Sequence, residues 1–122
     1  MKKIILIIVL LALPAICFAQ PSIIFDKERQ DFGEVKKGTE LQYTFEFTNN
    51  GNEELVISKI ITSWGCTAAM ASSSHIKPGE KGKINAKIDT EGRAGYLHKP
   101  LSVYSNDPKK PVVNLYITAI LR

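Results

Sequence analysis

The sequence predicts an immunoglobulin-like antiparallel β-sandwich of about seven strands, and three observations predict it. Short segments alternate apolar and polar residues with a period of two. Clusters of Gly, Pro, Asn and Asp separate these segments at intervals of about 8–12 residues. No helical period of apolar residues follows the first 19 positions.

Those first positions stand apart from the rest. Lys2 and Lys3 precede an apolar run over residues 4–19 (IILIIVLLALPAICFA), with Pro14 inside it and Cys17 and Ala19 as small residues at −3 and −1 of a cleavage site. This is the layout of a secretory signal peptide cleaved after Ala19, and the run is short for a membrane span. The alternative is a lipoprotein signal lipidated at Cys17, although Ile16 is bulky where such signals carry a small residue. The expected division is therefore a signal at 1–19 and one domain at 20–122, in the periplasm or secreted.

The domain's strands follow in order. Residues 22–25 (SIIF) and a short piece at 32–35 open it. Residues 40–47 (ELQYTFEF) place Leu41, Tyr43, Phe45 and Phe47 on one face of a pleated strand. Asn49-Asn50-Gly51-Asn52 turns the chain into residues 55–61 (LVISKII), which are rich in β-branched side chains. After the turn at Pro78-Gly79, residues 83–89 (KINAKID) point Ile84, Ala86 and Ile88 inward. Residues 97–103 (LHKPLSV) align Leu97, Leu101 and Val103, and Pro100 there suggests an edge or an irregularity. Residues 112–121 (VVNLYITAIL) close the domain with Val113, Leu115, Ile117, Ala119 and Leu121 on one side. Residues 63–75 (SWGCTAAMASSSH) carry no strand pattern, and a loop of that length is functional or flexible.

Charge narrows the function classes. The whole chain has 16 basic and 12 acidic residues; loss of Lys2 and Lys3 leaves 14 against 12, a mature charge near +2. Lysines and arginines cluster no further than pairs such as Lys36-Lys37 and Lys109-Lys110, which argues against nucleic acid. Export leaves Cys66 as the only cysteine, so no disulfide forms within the domain.

Several motifs occur together. Asp31-Phe32-Gly33-Glu34-Val35 leads to Lys37-Gly38, then Phe45-x-Phe47-Thr48-Asn49-x-Gly51 and Leu55-x-Ile57. Gly65-Cys66-Thr67, Ile76-x-Pro78-Gly79-Glu80-Lys81-Gly82, Gly95 with Lys99, and Val103-Tyr104-Ser105-Asn106-Asp107 follow. The set resembles a bacterial immunoglobulin-like domain family of unknown function with a Cys-Gly-Cys-Thr core motif. That family is related in fold to ASPM/SPD-2/Hydin-type and major-sperm-protein-type sandwiches. The resemblance implies an exported domain with no established enzymatic activity. Trp64 stands here where the family has its first cysteine, which removes the second thiol a dithiol cycle needs.

The candidate chemistry therefore centres on residues 63–75. Cys66, Trp64 and His75 are the candidate binding residues. Cys66, Met70, His75 and His98 form the ligand inventory of a copper site, in an order unlike the familiar cupredoxin loop. Cys66 with His75 would be the nucleophile pair of an enzyme, but no orienting third group and no Gly-x-Ser-x-Gly elbow around Ser72-Ser73-Ser74 accompanies it. Cys66 is otherwise a small buried residue or an intermolecular tether. The reading these observations favour is an exported, non-catalytic structural or protein-interaction module without a cofactor. Its partner would be another envelope or secreted protein. The alternative is a periplasmic metal-binding or redox thiol protein.

Overall fold

The computed structural model describes residues 19–62 and 67–122. Nine strands form among them: β1 (Ile23–Phe25), β2 (Arg29–Val35), β3 (Glu40–Asn49), β4 (Leu55–Thr62), β5 (Thr67–Ala71), β6 (His75–Ile76), β7 (Lys81–Asp89), β8 (Gly95–Ser105) and β9 (Val112–Leu121). They make a four-stranded sheet in the order β1-β3-β7-β5 and a five-stranded sheet in the order β2-β9-β8-β4-β6. Every pairing is antiparallel except β2 with β9, which run parallel. The chain thus changes sheets between Phe25 and Arg29, and the result is an immunoglobulin-like sandwich.

Period-two alternation places the core. Phe45 and Phe47 of β3, Ile84 and Ile88 of β7, Leu101 and Val103 of β8, and Leu115 and Ile117 of β9 are all buried between the sheets. β4 departs from strict alternation. A register shift between Ile57 and Lys59 sends Ser58 and Lys59 outward together, so that Ile57 and Ile60 both face the core and Ile61 faces out.

Gly82 is opposite Phe47 on the β3–β7 ladder, and the ring lies over it. A Cβ at Gly82 would come within 2.9 Å of two ring carbons of a fully buried Phe47, and closer still to Cζ. Gly82→Ala is therefore expected to destabilise the domain by about 2 kcal/mol through overpacking. A urea unfolding midpoint equal to that of the parent would contradict this.

Two expectations are corrected. Residues 63–75 are not one long loop: β5 lies within them and β6 begins at His75. β5 reads TAAMA, and alanine on both faces erases the period-two signal; pairing with β7 and packing of Ala69 and Ala71 on the core supply the order instead. Pro100 does not mark an edge, because β8 is central, between β9 and β4. The described ladder to β4 ends at Thr62 opposite Leu101, so Pro100 lies just beyond it. The inward row of β8 also contains Lys99, 5% exposed between Leu97 and Leu101. Alternation predicts its direction, but the residue type opposes burial.

Candidate functional site

The sequence candidates are scattered. Cys66 and Trp64 lie outside the described residues, so the Cys66–His75 pair does too. Met70 points outward from β5 on the four-stranded sheet and is 72% exposed. His75 begins β6, with Nδ1 3.3 Å from the Oε1 of Glu54 in an exposed pair. His98 points outward from β8 on the other sheet. Met70 and His98 therefore occupy opposite outer faces of the sandwich, and the four-residue copper set is not brought together. Among the described residues no group of three or more His, Cys, Asp or Glu is placed to hold a metal ion. The serines shape turns: Ser72 Oγ accepts from the Lys83 amide at 3.0 Å, and Ser73 Oγ accepts from the His75 amide at 3.2 Å.

What the tertiary structure does assemble is the outer face of the five-stranded sheet. Residues 96, 98, 100, 102 and 104 of β8 lie beside Ile120, Thr118, Tyr116, Asn114 and Val112 of β9 in register. Lys59 and Ile61 of β4 flank Tyr104 and Ser102. Diagonal neighbours across an antiparallel pair are within reach of aromatic side chains. Accordingly the His98 and Tyr116 rings lie nearly parallel, with centroids 5.3 Å apart and 29° between planes. Tyr96 continues the row at 6.4 Å and 20°. The Arg29 guanidinium closes one end, 5.6 Å from the Tyr116 ring centre, and Lys59 lies 4.7 Å from that of Tyr104. Thr118 faces outward yet is only 4% exposed beneath this layer.

Exposure singles out this face. Tyr96 (68%), Ile61 (46%), Val112 (39%) and Ile120 (38%) all lie on it, whereas Ile24 and Met70 are the large apolar residues exposed on the other sheet. An antiparallel sheet with one wet side normally carries polar residues there. The sequence held a signal for this: the outward positions of β8 and β9 include Tyr96, Tyr104, Val112, Tyr116 and Ile120 alongside Ser102, Asn114 and Thr118, while those of β3 and β7 are polar throughout.

A second feature is the edge of the four-stranded sheet. β5 pairs with β7 on one side and is the terminal strand among the described residues. The Ser72 amide donates to the Lys83 carbonyl at 2.8 Å, which sets the phase of the ladder. Ala68 and Met70 then direct their peptide groups to β7, and Ala69 and Ala71 direct theirs to the open side. Ala68, Ala69, Met70, Asn85 and Lys87 line a shallow groove of about 360 Å³ along this edge.

Comparison with known proteins agrees with the fold. The chain is similar to a protein of unknown function from Porphyromonas gingivalis, with 23% identity and a TM-score of 0.75 over 90% of this chain and 51% of that one. It is also similar to part of the secreted serine protease VesC of Vibrio cholerae, with 18% identity and a TM-score of 0.61 over 84% of this chain and 23% of the other. The ASH/PapD-like domain 7 of human CEP192 aligns at 10% identity and a TM-score of 0.64, over 89% and 91% of the two chains. The chain thus spans about half the length of the Porphyromonas protein and about a quarter of the protease, and these likenesses show the fold alone. No curated protein matches it. The profile of one family covers residues 23–121, nearly all of the described domain, and the chain belongs to that family, described as protein of unknown function (DUF1573).

Proposed function

We propose that this chain is an exported, non-catalytic interaction module whose five-stranded sheet docks, through its outer face, on another envelope or secreted protein. One observation carries the reading: the aromatic and aliphatic row of Tyr96, His98, Pro100, Tyr116 and Ile120 on a solvent-facing sheet, with Tyr104, Val112 and Ile61 around the polar Ser102–Asn114 pair that follows it. Contiguous exposed apolar surface marks interaction sites, and Tyr and Arg are the residue types enriched at the centres of protein interfaces. Rigid tyrosines contribute contact area at little cost in side-chain entropy. The Lys2-Lys3 start and apolar run over residues 4–19 support export. The metal-binding alternative has no comparable support, since Met70 and His98 face away from each other across the sandwich.

The test is site-specific photo-crosslinking in the native envelope. A crosslinker at position 96 is expected to give a discrete protein adduct that Ile120→Glu removes. The same crosslinker at position 46, on the outer face of the other sheet, is expected not to give that adduct. Equal labelling from both positions, or none from position 96, would refute the proposal.

A further inference from the structure

We infer that the open edge of β5 is a second binding site, independent of the aromatic face, and that it takes an extended acidic segment of another protein as an added strand. Three observations converge on that occupant.

The first is the edge itself. Natural sheets protect their edges with lysine, proline, bulges or very short strands. β5 is five residues long, uncharged and free of proline. Among the described residues no strand pairs with its other side. The peptide groups of Ala69 and Ala71 face the open side, and an edge of unpaired N–H and C=O groups is satisfied best by another extended backbone. The second is shape: small side chains at Ala68, Ala69 and Ala71 leave the edge flat, and Met70 offers a flexible apolar surface that adapts to whatever packs on it.

The third is charge, which selects among possible strands. Lys81, Lys83 and Lys87 stand on the outer face of β7, with Lys83 and Lys87 on either side of Asn85, the residue opposite Met70. Lys87 is opposite uncharged Ala68 on one side and Gln42 on the other. Glu46 is opposite Lys83 across β3, but none of the three lysines forms an ion pair with a described residue. A second copy of this chain pairing edge to edge would bring the same lysines with it, so the charges disfavour self-association. A partner strand with carboxylates at alternate positions, on the face that Met70 shares with Lys83 and Lys87, places opposite charges within side-chain reach. Its N–H and C=O groups would pair with those of Ala69 and Ala71.

The experiment uses two synthetic peptides of roughly eight residues. One alternates valine with glutamate, and the other alternates valine with lysine. Each is titrated into the folded domain and followed by amide NMR. The glutamate peptide is expected to bind, to shift the β5 resonances, and to slow hydrogen exchange at the amides of Ala69 and Ala71. The double variant Lys83→Glu, Lys87→Glu keeps the fold, because both side chains are exposed. It should bind the glutamate peptide about tenfold more weakly and reverse the preference toward lysine. Ala69→Pro removes an amide that faces the open side and should abolish binding while leaving the β7 ladder in place. Equal affinity for the two peptides, binding without charge reversal in the double variant, shifts confined to β1 or β2, or dimerisation through β5 in place of peptide binding would each overturn the inference. None of these outcomes bears on crosslinking from position 96.

Discussion

Asn49→Ala is expected to lower the unfolding free energy by about 3 kcal/mol. Asn49 is completely buried at the end of β3. Its Oδ1 accepts from the amides of Ser22 at 3.2 Å and Gly51 at 3.0 Å, and its Nδ2 donates to the carbonyls of Glu53 at 2.8 Å and Ile76 at 3.0 Å. A carboxamide has two donor hydrogens and two acceptor lone pairs, and all four are used. The side chain thereby joins the N-terminal arm, the turn after β3 and strand β6. Removing it takes a partner from the amides of Ser22 and Gly51 and from the carbonyls of Glu53 and Ile76, at a site closed to water. For a domain of this size the thermal midpoint should fall by roughly 12–24 °C. Asn49→Asp should do no better, since a carboxylate would face the carbonyls of Glu53 and Ile76. Thermal unfolding followed by circular dichroism decides the matter; a fall of only a few degrees would mean that water replaces the amide at little cost.

Asp107→Ala should destabilise the domain by a similar amount, and with a pH signature. Asp107 is 3% exposed in the turn between β8 and β9. Oδ2 accepts from the Ile23 amide at 2.9 Å, while Oδ1 accepts from the amides of Lys109 at 2.8 Å and Lys110 at 3.1 Å. Burial by itself would raise the carboxyl's pKa. The three amides, with the charge of Lys110, outweigh it, and the net shift is downward. A carboxylate whose pKa is depressed in the folded state contributes stability that is fully present above its unfolded value, about 3.9. That contribution is lost as pH falls through the lower, folded value. The parent should therefore lose stability below pH about 4. Asp107→Ala should start lower at neutral pH and show a shallower decline, because the linkage is gone. Parallel curves for the two proteins in acid would remove Asp107 as the cause.

These two side chains show what could be read before the fold was known. Asn49 sits in an Asn-rich turn cluster and Asp107 in Ser105-Asn106-Asp107-Pro108, so the sequence marked both as turn residues. That one ties β1 to a turn 84 residues away, and the other ties the N-terminal arm to β6, follows from long-range packing with no local signal. The same holds for the candidate sites. His75 and Met70 lie five residues apart in sequence, but His75 pairs with Glu54 at the edge of one sheet while Met70 faces solvent from the other. Proximity along a β chain says little about proximity in space, because a chain that changes sheets separates close neighbours and brings distant residues together.

The sequence by itself determined the sandwich, its main strands and its core. Alternation is a local property: a strand with large apolar residues at every second position has one face that must leave water, as the inward rows of β3, β7 and β9 show. It also shows an apolar run over residues 4–19 and one cysteine, Cys66, after it. Only the tertiary structure decided that TAAMA is a strand, that Pro100 lies in a central strand, and that Tyr96, His98 and Tyr116 form one row. It also decided that Lys83 and Lys87 flank an open edge. Each of these depends on which strands pair and in what register. Register is set by how two faces pack, which is a property of the pair and cannot be read from either strand alone.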